Sequence, residues 1–396
     1  MPSANGSTPQ SKNQWQRDAS LAIIGCAAML TGVGLLAIYA SSSMKGAQQF
    51  GDSLVFLRKQ AAVALAGLVA IVFIRFMPWK WLERITLPAY VFSLLSLALI
   101  FVPGAYIKGG GAARWLHLGG ITFQPAEVAK LALIIFLARN LGRPGPSAAR
   151  FWTGVAPNLA AFGLMAVCLM RQPDFGSTVL LGMLTVAMLF AAGLPLRYLV
   201  GMALAGITGM VAAVIAAPYR MARLMSFLDP WAEVRGKGFQ IIQSYLAFKN
   251  GGFWGTGLGE SRQKLFFLPE AHTDFILSVI GEELGLLGIL LVSALFCFMA
   301  WIGFAVAARQ SSRYRSLLAF GCSTLIAGQA ALNMGVTMGL LPTKGMPLPF
   351  VSSGASSLLV FLVITGVLSR LAMESTVPQD AESATKDGRK LEIPAS

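Results

Sequence analysis

The sequence predicts an all-α, polytopic membrane protein of about ten transmembrane helices. Hydrophobic residues make up 56% of the 396 and charged residues only 12%, with a mean hydropathy of +0.67. That composition leaves too little polar surface for a water-soluble globule. The apolar residues also gather into windows of the roughly 20 residues that cross a hydrocarbon core.

The windows fall at residues 20–42, 60–77, 85–103, 124–141, 153–170, 176–194, 198–217, 275–307, 316–341 and 351–371. Before the first lies a polar segment, Met1–Ser20, with Lys12 and Arg17. The apolar run from Leu21 is too long for a signal-peptide core, so this helix is expected to remain as an anchor. The fourth window contains Glu127 and Lys130, three residues apart on one helical face, and is expected to turn them into the bundle as a pair. Pro125 suits its first turn, where a missing N–H is harmless. Glycines such as Gly182, Gly201, Gly206 and Gly209 let helices approach closely in lipid. The eighth window is long enough to tilt or to continue beyond the bilayer. The expected organisation is a tail at 1–19, a membrane domain at 20–372 with its longest connection at 218–273, and a polar, disordered tail at 373–396.

Arg75, Lys80, Arg84, Arg139, Arg143, Arg150, Arg197, Arg309, Arg313 and Arg315 fall on one side of this arrangement. The positive-inside rule makes that side cytoplasmic, together with both termini, so the 218–273 connection faces outward. The net charge of +14 is spread along membrane borders without an aromatic-basic module, which argues against nucleic acid and for anionic lipid headgroups. Cys26, Cys168, Cys297 and Cys322 sit within windows and share no ligand spacing, so buried free thiols are expected rather than disulfides or zinc.

Polar groups collect in outward segments. In LFFLPEAHTDFILSVIGEELGLLG (265–288), Glu270, His272 and Asp274 stand at the lip of a span, where ionisable groups are functional candidates. Thr273 or Asp274 also suits a helix cap, the competing role. Glu282 and Glu283, two turns further on, are expected to pair with another helix. In KGGGAARWLHLGGITFQPAEVAK (108–130), Arg114, Trp115 and His117 mark an interfacial stretch. In GGFWGTGLGESRQKLFF (251–267), the glycines lack the strand and lysine of a nucleotide loop. With Arg262 and Lys264 they remain a candidate cradle for a lipid-linked pyrophosphate. Pro342, Pro347 and Pro349 exclude a continuous helix through LLPTKGMPLPFVSSGASS (340–357). Irregular backbone at membrane depth is tolerated beside protein or water, which makes Lys344 a candidate wall of an outward cavity.

These segments, with RQPDFGS (171–177) and NMGVTMGLLPTKGMPLPFVSSGASSLL (333–359), resemble in sequence and order the SEDS family of shape, elongation, division and sporulation proteins. The resemblance covers residues 20–372, and SRQKLFFLPEAHTDF and LLPTKGMPLPF look more like its division members than its elongation members. It implies a ten-helix fold and a peptidoglycan glycosyltransferase that polymerises lipid II into a growing glycan strand at the outer face of the bacterial cytoplasmic membrane. It also implies work with a class B penicillin-binding protein and other division proteins at the septum. The family's essential acidic residue corresponds to Asp274, its acid–base pair to Glu127 and Lys130, and its RWL arginine to Arg114. One departure is visible: the family pattern SYGGSS is here Ser352-Ser353-Gly354-Ala355-Ser356-Ser357.

Glycosyl transfer needs a base for the attacking hydroxyl and positive charge for the departing pyrophosphate. Asp274 is the expected base, and Arg114, Lys130, Arg262, Lys264 and Lys344 the expected cations, with Trp115, Glu127, Glu270, His272 and Thr273 around the substrate. Displacement by one base inverts the anomeric centre. No DxD or other dedicated ligand cluster is present; a divalent cation, Mg²⁺ or Mn²⁺, is left open as an aid to the leaving group. The alternatives are a lipid II flippase, which would spread charges through the membrane depth, and a non-catalytic division scaffold.

Overall fold

A computed structural model describes all residues except 1–8, 105, 110–111, 119–120, 144–150, 235, 237, 258, 261–271, 344 and 376–396. The chain is a helical bundle. In order it forms α1 (Pro9–Phe50), α2 (Val55–Phe76), α3 (Trp79–Arg84) and α4 (Thr86–Leu99), then strands β1 (Tyr106–Gly109), β2 (Ala112–Leu118) and β3 (Ile121–Phe123). There follow α5 (Pro125–Leu141), α6 (Ala156–Arg171), α7 (Phe175–Ala191), α8 (Leu196–Ile215), α9 (Pro218–Leu228), α10 (Phe239–Gly251), α11 (Ile276–Ala308), α12 (Arg313–Thr337) and α13 (Ala355–Met373).

Each apolar window falls on a helix. Among the described residues, α1, α2, α6 with its preceding turn, α8, α11, α12 and α13 are long and apolar enough to cross a membrane by themselves. The windows at 85–103, 124–141 and 176–194 hold shorter helices of 14, 17 and 17 residues. Helix α1 has 42 residues, roughly 63 Å at 1.5 Å per residue, and so extends well past a hydrocarbon core. It includes much of the segment expected to be a tail.

Helices α5, α12 and α13 occupy the middle of the bundle, and their buried Leu, Ile and Ala side chains join one core with those of α1, α7 and α11. Helix α8 is the opposite case: only 6% of its apolar window is buried, so lipid must cover it on nearly every side.

Three features depart from a plain set of spans. First, residues 106–123 form an antiparallel meander in the order β1-β2-β3. Second, the 218–273 connection carries α9 and α10, and α10 packs against the start of α11. Third, α11 is broken at Gly285, whose φ of 65° and ψ of −160° lie in a region open essentially only to glycine. The freed hydrogen bonds go to the 252–257 turn: Leu286 N donates to Gly252 O, Thr256 N to Glu282 O and Gly257 N to Glu283 O. The Thr256 and Gly257 amides are thereby committed to the helix break, while Leu258, Arg262 and Lys264 of the candidate pyrophosphate cradle lie outside the described residues. Cys26 and Cys322 are buried free thiols as expected, Cys168 is partly buried, and Cys297 is exposed on the bundle's outside.

Candidate active site

Residues 272–275 form a turn immediately before α11, and α12 and the proline-rich segment fix its position. Asn333 on α12 donates from one amide nitrogen to Asp274 O at 2.9 Å and to Met346 O at 2.8 Å. The Ser352 hydroxyl donates to Thr273 O at 2.5 Å and accepts from Leu348 N at 2.8 Å. Ser353 N donates to His272 O, and the buried His272 ring lies 5.5 Å from Phe56. The Ser352–Ser357 element, which departs from the family pattern, therefore acts as a clamp on the Asp274 turn. Gln60 reinforces it from α2 by donating to Ser352 O and accepting from Gly354 N. Ser356 accepts from Gln124 N at the start of α5.

Arg114 reaches the same place from the sheet. The register pairs Ile107 with Trp115 and Lys108 with Ala113, so Arg114 is the extra residue of a bulge in β2. Bulges re-aim side chains and recur beside active sites. Its guanidinium donates to Pro173 O at 2.6 Å, which explains why RQPDFGS belongs to the site: Gln172 ties the segment to Leu97 O, and Asp174 caps α7 by accepting from Ser177 N. Arg114 Nε is buried and has no hydrogen-bond partner among the described residues. A Cβ on Gly345 would lie 3.1 Å from Asp274 Oδ2 and 3.3 Å from Arg114 Nη1. The carboxylate and the guanidinium thus border one small space, kept open by the missing side chain. Trp115, half-buried, follows Arg114 in the strand.

Arg223 on α9 completes the described cluster. Desolvation lowers its pKa most and the Arg114 charge lowers it further, whereas Tyr219 and Asp274 raise it. The residue keeps exposed surface, and its charge is coupled to those of both Arg114 and Asp274. Arg223 is not among the site residues expected from the sequence. The available signal was the amphipathic spacing of Arg220 and Arg223, three apart on one helix face. Arg220 docks that helix on α7, with its guanidinium 5.4 Å from the Phe175 ring centre.

Glu127 and Lys130 form a fully buried pair at 2.6 Å. Lys130 also donates to Gln329 Oε1 at 2.7 Å, and Gln329 donates to Pro347 O at 2.9 Å. The pair is linked by this chain to the proline-rich segment that borders Asp274. Glu127 Oε2 is buried with no hydrogen-bond partner among the described residues. Glu282 and Glu283 are buried in α11, and Glu282 accepts from Asn250 of α10. Arg262, Lys264, Glu270 and Lys344 lie outside the described residues.

Among the described residues, no group of three His, Cys, Asp or Glu side chains could hold a metal ion. The described donor set is one carboxylate facing two guanidiniums, which suits an anionic diphosphate better than a resident divalent cation.

The family model for cell cycle proteins of the FtsW, RodA and SpoVE type matches residues 20–377. A probable peptidoglycan glycosyltransferase FtsW from Geobacter metallireducens is 42% identical over 348 residues, covering 88% of this chain and 93% of the relative. A protein of the same name from Legionella pneumophila is 39% identical over 357 residues, with 89% and 90% covered. Among solved structures, a chain from work on structural coordination of polymerization and crosslinking by a peptidoglycan synthase complex aligns with a TM-score of 0.73 at 29% identity, covering 89% of this chain and 97% of that one. The rod shape determining protein RodA of Thermus thermophilus aligns with a TM-score of 0.66 at 25% identity, covering 89% and 96%.

Proposed function

The chain belongs to the FtsW, RodA and SpoVE family of cell cycle proteins, and on that premise we propose that it is a peptidoglycan glycosyltransferase of the FtsW kind, polymerising lipid II at the outer face of the cytoplasmic membrane during division. Asp274 is the base that takes the proton from the attacking sugar hydroxyl. Arg114 and Arg223 hold the diphosphate that leaves with its lipid. One base and no covalent intermediate give inversion at the anomeric carbon.

The observation that carries this reading is the shared space beside Gly345, bordered by the Asp274 carboxylate and the Arg114 guanidinium. A base and a leaving-group clamp must flank one reacting centre, and in a site screened from water two guanidiniums stabilise developing negative charge strongly. The positive charges that border the Asp274 carboxylate also stabilise the departing diphosphate. The Glu127–Lys130 pair stands behind the proline-rich segment and sets its position. Arg262, Lys264, Glu270 and Lys344 belong to the proposal as further substrate contacts.

A class B penicillin-binding protein is the expected partner, as an enzyme that crosslinks the strand while it emerges. The test is polymer formation from labelled lipid II by the purified complex of the two in detergent. Wild type should make polymer, and Asp274→Ala and Asp274→Asn should both fall by at least about a hundredfold, the usual share of a general base. Normal polymer from Asp274→Ala would remove Asp274 from the chemistry. Polymer made without a membrane barrier also separates synthesis from translocation.

A further inference from the structure

At the opposite end of α5 from Glu127 lies a cavity of about 270 Å³ lined by Thr86, Leu87, Phe136, Arg139, Asn140, Arg143 and Pro157. Its floor is the C-terminal end of α5: Phe136, Arg139 and Asn140 stand at steps of three and one on one helix face, and Arg143 follows two residues past the helix end. The first turns of α4 and α6 supply the other walls. The apolar lining continues outward through exposed Leu87, and the Phe136 ring is held by Tyr90 at 4.7 Å between centroids.

The charge in this cavity is one-sided. No carboxylate lines it, and neither Arg139 nor Arg143 makes an ion pair among the described residues. Glu83 on α3, the acidic group of this region, is exposed and stands outside the lining. Asn140 is anchored by donating to Asn158 Oδ1 at 3.0 Å, and the Thr86 hydroxyl donates to Leu82 O, so the two arginines are the charged donors of the lining. Trp81 and Trp152, 58% and 82% exposed at the same end of the bundle, mark headgroup depth, where tryptophan concentrates.

We propose that this cavity is a binding site for an anionic phospholipid, with the phosphate held between Arg139 and Arg143 and the acyl chains leaving past Leu87 and Phe136. Two guanidiniums give the forked donor geometry that phosphate oxygens accept. The apolar wall beside them selects a lipid over a free ion. Basic pockets between transmembrane helices at the cytoplasmic border are a recurrent form of headgroup site. This proposal is independent of the glycosyltransferase reading, since none of its residues belongs to the Asp274 cluster.

The test is native mass spectrometry of the full-length protein in mixed micelles of phosphatidylglycerol and phosphatidylcholine. Wild type should retain phosphatidylglycerol selectively, and Arg139→Gln with Arg143→Gln should cut that retention about thirty-fold, the loss of two basic contacts at a membrane surface. Arg139→Lys with Arg143→Lys should recover most of it. The control pair Arg75→Gln with Lys80→Gln removes equal charge at the same end outside the cavity and should leave retention unchanged. Excess inorganic phosphate should fail to displace the lipid. Wild-type retention in the Arg139→Gln, Arg143→Gln protein would overturn the site, as would an equal loss in the control pair. Displacement by phosphate would assign the cavity to a free anion instead. Circular dichroism and size-exclusion profiles matching wild type establish that the Gln variant is folded.

Discussion

Asp274 is placed by its backbone: Asn333 and Ser352 hold the carbonyls of Asp274 and Thr273, and the carboxylate remains at the space beside Gly345. The buried Glu127–Lys130 pair allows stability and function to be separated at the residue scale. Removing one member strands a buried charge and costs about 3–5 kcal/mol, whereas replacing both with apolar residues of similar volume is often close to neutral. Lys130→Met is therefore expected to lower the melting temperature of the purified protein sharply, and Glu127→Met with Lys130→Met to restore most of it. Polymer synthesis should stay lost in the double variant, because Gln329 loses the donor that orients it toward Pro347 O. A double variant that melts like wild type and still polymerises would reduce the pair to a packing device.

At the scale of elements, the broken helix α11 is the feature least visible in the sequence. Span positions were legible because apolar length is a local property, and the Glu127–Lys130 pairing was legible because both residues lie on one helix at i and i+3. EELGLLG, however, carries no proline to mark a break, and glycines such as Gly285 and Gly288 are ordinary in a membrane span. The break depends on a partner more than twenty residues away, the 252–257 turn, which supplies the hydrogen bonds that α11 gives up. The bulge that aims Arg114 and the fold-back of Arg223 were hidden for the same reason, since each is a tertiary event. The clamp role of Ser352 rests on Thr273, a residue 79 positions away in the chain. Gly285→Ala tests the break directly: a Cβ there would lie 2.4 Å from Gly255 N in a backbone region closed to alanine. Strain and overlap together should cost roughly 3 kcal/mol or more, read as a lower melting temperature and lost synthesis. An unchanged melting temperature would mean that α11 runs through without interruption.

For the whole molecule, the decisive relation is between the bilayer and the two polar ends of the bundle. One end holds the β-meander, Arg114, Arg223 and the Asp274 turn; the other holds Arg309 stacked 3.8 Å from the Trp15 ring centre and Arg370 stacked 4.2 Å from that of Trp79, with Glu374 bridging to Arg315 and Arg370. The second end is rich in arginine from short connections, so the positive-inside rule predicts that it is cytoplasmic and that the Asp274 end faces outward. Polymerisation outside the membrane requires this orientation, because the attacking hydroxyl and the diphosphate must meet in the outer leaflet. Single cysteines can establish it. Cys297 is exposed and must first be replaced by Ser along with Cys26, Cys168 and Cys322. Thr122, exposed beside β2 at the Asp274 end, and Lys80, exposed on α3, then serve as opposite markers. A membrane-impermeant maleimide should label Thr122→Cys in intact spheroplasts and Lys80→Cys only after permeabilisation. The reverse pattern would put the Asp274 cluster on the cytoplasmic side, where no outward-facing polymerase could use it, and would sink the catalytic reading even if every contact at the site were correct.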